Sequence, residues 1–343
     1  MANVNTYEHH RVIFPVGQGG FAFEHIEGFS IIYDCGSDTA PTRVCHCVDL
    51  LLAHGINEIN YLVVSHFDND HVNCIDYLLS KVRVQCVLAP YIPNDLLIVY
   101  NAVTNNAVSR LREICQRRET EYIEIDEERG RDLGVHNIWE WHIKTMLTYA
   151  DFTLLKSKLV AFGINLQDLD DPDYVTQVRK DLNKAFASLG NGGPNAKGLI
   201  MLSQKTANAH LESTDLTRGC RHCFPCHVLG IEHNLPLDDV KLTSCLYVGD
   251  ADLRSRNKTA VQDFWQSKRH EEILLLMQIP HHGSRYNLNK DFNIDFPAER
   301  YFVCDKDDVR IKKSITLWKR IHHQTLLVRD VCYDTIIGLT KVY

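Results

Sequence analysis

Residues 65–71 read Ser65-His66-Phe67-Asp68-Asn69-Asp70-His71, placing two imidazoles and two carboxylates within six residues. On a tight turn, alternate side chains can converge on one small volume. Imidazole and carboxylate together suit divalent ions such as zinc or manganese. The plainer alternative is a polar loop that caps a following helix through Asp68 or Asn69. An ordinary cap does not require two histidines flanking two aspartates, so the spacing favours a metal site.

Three other segments carry weaker signals. Ile279-Pro280-His281-His282-Gly283-Ser284 sets a histidine pair behind an apolar run, a natural place for one more ligand and a substrate-contacting group. Tyr247-Val248-Gly249-Asp250 ends a strand-like run in a carboxylate, and by itself reads equally well as a turn. Val16-Gly17-Gln18-Gly19-Gly20 is followed by Asp34-Cys35-Gly36. Its glycines suggest a phosphate cradle, but no Lys-Ser/Thr pair and no clear helix follow, which argues against a nucleotide-binding P-loop. Separately, Cys220, Cys223, Cys226 and His227 have the spacing of a tetrahedral structural zinc knuckle; reduced thiols in a loop are the competing reading. Cys45-His46-Cys47 falls in a predicted helix, where positions i and i+2 do not share a face, and is not read as a joint ligand set.

These residues need elements to hold them. Residues 59–66, INYLVVSH, form a short apolar run rich in β-branched side chains and bounded by a polar turn, as in a buried strand. Helical spacing surrounds it at Val44–His54 and in CIDYLLSK, and VQCVLAPY reads as another strand. The strand–helix–strand rhythm predicts an α/β layered fold. Two strands around a turn are expected in Val12–Asp34. Residues 94–195 read as a mostly helical insertion or lid, and 205–241 as a Cys-rich insertion. Strand signals return at 199–204, 245–250, 273–280, 300–305 and 325–332.

Composition narrows the function class. The chain has 343 residues, 45% hydrophobic and 24% charged, which excludes a mostly disordered, collagen-like or coiled-coil protein. No apolar run approaches the roughly 20 residues of a membrane span, and no leader pattern is expected at the N-terminus. The expectation is a cytoplasmic chain, so its 12 cysteines should be reduced thiols or metal ligands. A net charge of -7 argues against whole-surface attraction to nucleic acid.

Taken in order, VGQGG, DCG, the 66–71 segment, Gly249-Asp250 and Pro280-His281-His282-Gly283-Ser284 resemble metallo-β-lactamase fold hydrolases. More narrowly, they are similar to the hydrolase domain of ComEC-like competence proteins. The resemblance covers about 11–92 and 198–343; Gly20 departs from it, where that subfamily carries Asp. It implies one αββα sandwich over 1–343 and a metal-dependent hydrolase, most plainly a phosphodiesterase or nuclease. It places His66 and Asp68 on one divalent ion, Asp70, His71 and one of the His281–His282 pair, His281 being preferred, on a second, and Asp250 between them. Zinc or manganese is the expected metal, and one ion rather than two stays open. Asp70 or Asp250 would orient the attacking water, and His282 or Ser284 would meet the scissile group. Two other functions stay open: hydrolysis of a small phosphodiester such as a cyclic nucleotide, and a non-catalytic metal-binding subunit that works with a protein partner.

Overall fold

Side chains alternate between two faces along a β-strand, so each strand reports what lies on both sides of its sheet. Ile31 and Tyr33 enter one apolar core while Ile32 between them enters another. Leu199 and Met201 enter the same core as Ile31, whereas Ile200 and Leu202 enter a third. Three cores separated by two sheets require four layers. The computed structural model describes residues 6–190, 197–219, 233–234, 242–254, 256–284, 286–288, 291–305, 325–328 and 335–342. The Cys220, Cys223, Cys226 and His227 cluster lies outside the described residues.

The strands are β1 (Tyr7–Ile13), β2 (Gly19–Ile26), β3 (Phe29–Ser37), β4 (Glu58–Val63), β5 (Arg83–Pro90), β6 (Glu121–Ile125), β7 (Arg131–Val135), β8 (Trp139–Thr145), β9 (Leu199–Lys205), β10 (Leu211–Gly219), β11 (His233–Asn234), β12 (Cys245–Tyr247), β13 (Leu274–Gln278), β14 (Ala298–Cys304), β15 (Thr325–Val328) and β16 (Thr335–Val342). One nine-stranded sheet has the order β11-β10-β16-β1-β2-β3-β4-β5-β6, and a seven-stranded sheet has the order β15-β14-β13-β12-β9-β8-β7. Both are mixed: β3 to β6 pair in parallel, as do β12 to β15, beside antiparallel neighbours. The helices are α1 (Pro41–Ala53), α2 (Asn69–Val72), α3 (Ile75–Lys81), α4 (Asn94–Val103), α5 (Ala107–Arg117), α6 (Tyr149–Ala161), α7 (Pro172–Ala187), α8 (Arg256–Lys268) and α9 (Phe292–Asp295). The first sheet is backed by α1 and α3 to α7, and the second by α8 and α9. The expected αββα sandwich is the observed architecture.

The 94–195 stretch differs from its helical reading. It supplies α4 to α7; the charged run EYIEIDEERGRD, which reads as a solvated strand–turn, gives β6 at the edge of the first sheet and leads into β7, and β8 joins β7 in the second. The buried side chains of its helices, including Leu96, Leu111, Leu155 and Phe186, join the same core as Val48 of α1 and Leu78 of α3. It therefore forms part of the outer helical layer instead of a separate lid. The Val12–Asp34 segment likewise belongs to three strands, not two.

A charged network crosses the inter-sheet core. Glu24 accepts from Arg11 Nε at 2.7 Å, Trp141 Nε1 at 2.6 Å, the Tyr247 hydroxyl at 2.7 Å and the Ser203 hydroxyl, and meets His9 Nε2 at 3.1 Å. His9 stacks on Trp139 with ring centres 3.7 Å apart. A buried carboxylate is costly unless its oxygens are satisfied, and here donors from both sheets satisfy them. Arg11 and the surrounding donors hold Glu24 well below the usual carboxylate range despite burial.

Candidate metal centre

Parallel pairing brings strand ends together. Because β3, β4 and β5 run parallel, the loop after β4 opens beside the end of β3. The β12–β13 parallel pair does the same in the other sheet. Ligand-bearing turns after β4, β12 and β13 thus meet at one end of the sandwich, the usual place for a site in sheets with parallel strands.

Among the described residues, two sets bring at least three ligand atoms within 4.8 Å of one another: His66, Asp70 and His71, and His71, Asp250 and His282. All five residues are buried. His71 Nε2 lies 3.6 Å from Asp250 Oδ1 and 3.9 Å from Asp70 Oδ1, and His66 Nε2 lies 3.8 Å from Asp250 Oδ2. His282 Nε2 is 3.0 Å from Asp70 Oδ2.

The hydrogen bonds behind these rings set their tautomers. His71 Nδ1 is 2.7 Å from the Asp34 carboxylate, which can only accept from it. His282 Nδ1 is 2.5 Å from the Cys304 carbonyl, again a pure acceptor. The Ser65 hydroxyl donates to Asp34 Oδ2 at 2.7 Å, so its oxygen accepts from His66 Nδ1 at 2.9 Å. Each Nδ1 is thereby occupied as a donor; the Nε2 atoms of His66 and His71 face the shared volume, while His282 Nε2 meets Asp70. His66 Nε2 and His71 Nε2 are buried there without a hydrogen-bond partner. That is the second layer of contacts by which metal-binding histidines are oriented.

The charges agree. Burial and the adjacent His71 push His66 down to about 4, which keeps it a neutral ligand. Burial opposes charge on His71 and His282, but the facing carboxylates outweigh it and raise both. Histidine partners likewise hold Asp70 at about 2 and Asp250 well below the ordinary range, against burial. The cluster draws positive charge into its centre, and a divalent ion would supply that charge in place of protons.

Backbone conformation aims the side chains. Asp34, His281 and His282 all have positive φ, at 59°, 49° and 52°. Non-glycine residues in that region are held only where their surroundings over-determine them. The two successive left-handed residues turn His282 inward and leave His281 at the rim, its side chain 26% exposed. Gly20 and Gly36 allow the close approach behind the turn. A Cβ at Gly20 would lie 2.7 Å from Asp34 Cβ and 3.0 Å from His71 Nδ1; one at Gly36 would lie 2.8 Å from the Asp70 backbone. The Gly20 departure noted above thus leaves room for the Asp34–His71 pair.

The remaining candidates sit around this cluster. His281 Nδ1 is 3.8 Å from Asp250 Oδ2, but His281 belongs to neither ligand set, nor does Asp68, which is the N-cap residue of α2. His282, not His281, is the member of the pair brought into the ligand volume. Ser284 follows that turn, partly buried, with its amide on the His281 carbonyl at 2.9 Å. Sequence reading gave no role to Ser65 or the Cys304 carbonyl, and saw Asp34 as a strand end within the DCG motif, without a role at the site. The one available signal was a carboxylate closing the apolar run FSIIY.

No protein-family model matches the chain, and comparison with curated proteins finds no match. Solved structures do resemble it. The metallo-β-lactamase fold protein YhfI from Bacillus subtilis gives a TM-score of 0.46 at 9% identity, over 94% of this chain and 98% of its own. A diphosphatase of the PhnP family gives 0.46 at 8% identity, over 98% and 99%. CmlA, a diiron β-hydroxylase from Streptomyces venezuelae, gives 0.47 at 12% identity, over 95% of this chain and 53% of its own. The likeness is one of fold, and the chemistry of those proteins is not carried to this chain.

Proposed function

We propose that this protein is a metal-dependent hydrolase of phosphodiesters, with His66, Asp70, His71, Asp250 and His282 as the residues that hold the metal. The observation that carries the reading is the pair of buried, unpartnered Nε2 atoms of His66 and His71 facing Asp70 and Asp250. Asp34 and Ser65 orient the rings; Asp250, within 4 Å of His66, His71, His281 and His282, is placed to join the two ligand sets. A bound divalent ion would lower the pKa of a water molecule and offset the charge of an anionic ester. Asp70 or Asp250 would then accept a proton from the attacking water, and His281 or Ser284 at the rim would contact the leaving oxygen. Asp68, beside the cluster, would add a carboxylate to the His66 side. The order of motifs supports a nucleic-acid substrate of the ComEC-like kind.

The test is a screen of single strands, duplexes and cyclic nucleotides against manganese, magnesium and zinc. Metal-stimulated hydrolysis of at least one phosphodiester is expected, lost in Asp70→Ala and His71→Ala. Full activity in either variant would sink the site assignment.

A further inference from the structure

Cys45 and Cys74 face each other beside the ligand-bearing turn. Cys74 Sγ lies 3.5 Å from the Pro41 carbonyl, the group at the start of α1 that accepts the Cys45 backbone N–H one helical turn on. Cys45 lies close enough to Cys74 to act, beside burial, on its thiol. Cys45 is partly exposed and Cys74 is buried. Their positions tie α1 to the junction of α2 and α3, three residues after His71. Cys74 Sγ also contacts Asn73 Oδ1 at 3.2 Å, and Asn73 bridges to Ser37 through its amide at 2.8 Å and its carbonyl at 3.1 Å.

We propose that Cys45 and Cys74 form a reversible disulfide that weakens the metal centre, with a peroxide as the oxidant. Two thiols and one hydrogen peroxide give one disulfide and two waters. The partly exposed Cys45 sulfur attacks the O–O bond and becomes a sulfenic acid as one water leaves. The Cys74 sulfur then displaces the second water and forms the S–S bond. Burial pushes the Cys74 thiol up to about 12, which suppresses its thiolate, and Cys45 is the more accessible sulfur for the first step. Forming the S–S bond takes the Cys74 sulfur from its contacts with Asn73 and Pro41. The four-residue α2, which carries Asp70 and His71, ends two residues before Cys74, so the shift acts directly on it. The effect on metal rests on the ligand assignment above; the disulfide itself does not.

The full chain is reduced, freed of reductant, treated with hydrogen peroxide and mapped by mass spectrometry after alkylation. A Cys45–Cys74 linked peptide is expected, with the intact mass lower by two hydrogens and restored by dithiothreitol. Cys45 and Cys74 both remaining alkylatable, or Cys45 oxidised without a crosslink, overturns the proposal. Manganese(II) affinity is then measured by chelator competition. It should fall about tenfold on oxidation in the wild type, and not at all in Cys45→Ser. A mapped disulfide with unchanged affinity overturns the regulatory half. Manganese binding in neither state overturns the metal-site reading instead, and the mass map decides the disulfide alone.

Discussion

Asp34 meets the centre directly through His71, at 2.7 Å, and through the Ser65 hydroxyl reaches His66, while the Ser65 backbone amide holds its other oxygen at 2.7 Å. Asp34→Asn keeps the shape but loses the charge that fixes the ring. Manganese affinity should drop about 10–100-fold. Chelator competition measures it, and wild-type affinity in that variant would remove the positioning role. The histidine pair separates in the same assay. His282→Ala should lose bound metal, whereas His281→Ala should keep it and lose turnover. This division was not legible in sequence. Two adjacent histidines look alike until the backbone at 49° and 52° sends one inward.

Elements were legible where periodicity was strong and local. The run at 59–66, the helix over 41–53 and the later apolar strands all stand near their expected places. The stretch WEWHIKT was passed over although Trp139, Trp141 and Ile143 alternate. It pairs with β7 on one side and β9 on the other, contacts that lie outside its own short window. At this scale Gly20→Ala is informative. A methyl group 2.7 Å from Asp34 Cβ forces β2 and β3 apart, so a loss of about 1–3 kcal/mol is expected in denaturant unfolding. Metal affinity should fall with it. A stable variant with full affinity would show that the approach of Gly20 to the Asp34–His71 pair is not required.

Across the molecule, the Glu24 network decides how the two sheets sit on one another. Glu24→Gln leaves Arg11 buried without its counter-charge, and a loss of about 3–5 kcal/mol in chemical unfolding is expected. His9 adds a pH signature. Burial pushes it from 6.5 down to about 4 in the fold. Below pH 6.5 the unfolded chain binds more protons, so stability falls as pH drops, by up to about 3 kcal/mol at pH 4. The depressed Glu24 adds a further loss at lower pH. Thermal unfolding between pH 7 and 4 should show a shallower slope in His9→Phe; an unchanged slope would assign the acid sensitivity to other groups. By itself the sequence determined the layered α/β class and the four segments with ligand chemistry, because apolar period and residue type are local properties. The tertiary structure alone decided that His282 joins the cluster and His281 the rim. It also decided that Asp34 backs His71 from 37 residues away, and that Arg11 and Glu24 share a core with Ser203 and Tyr247. Those contacts depend on strand pairing and sheet packing across the whole chain, which no short window of sequence contains.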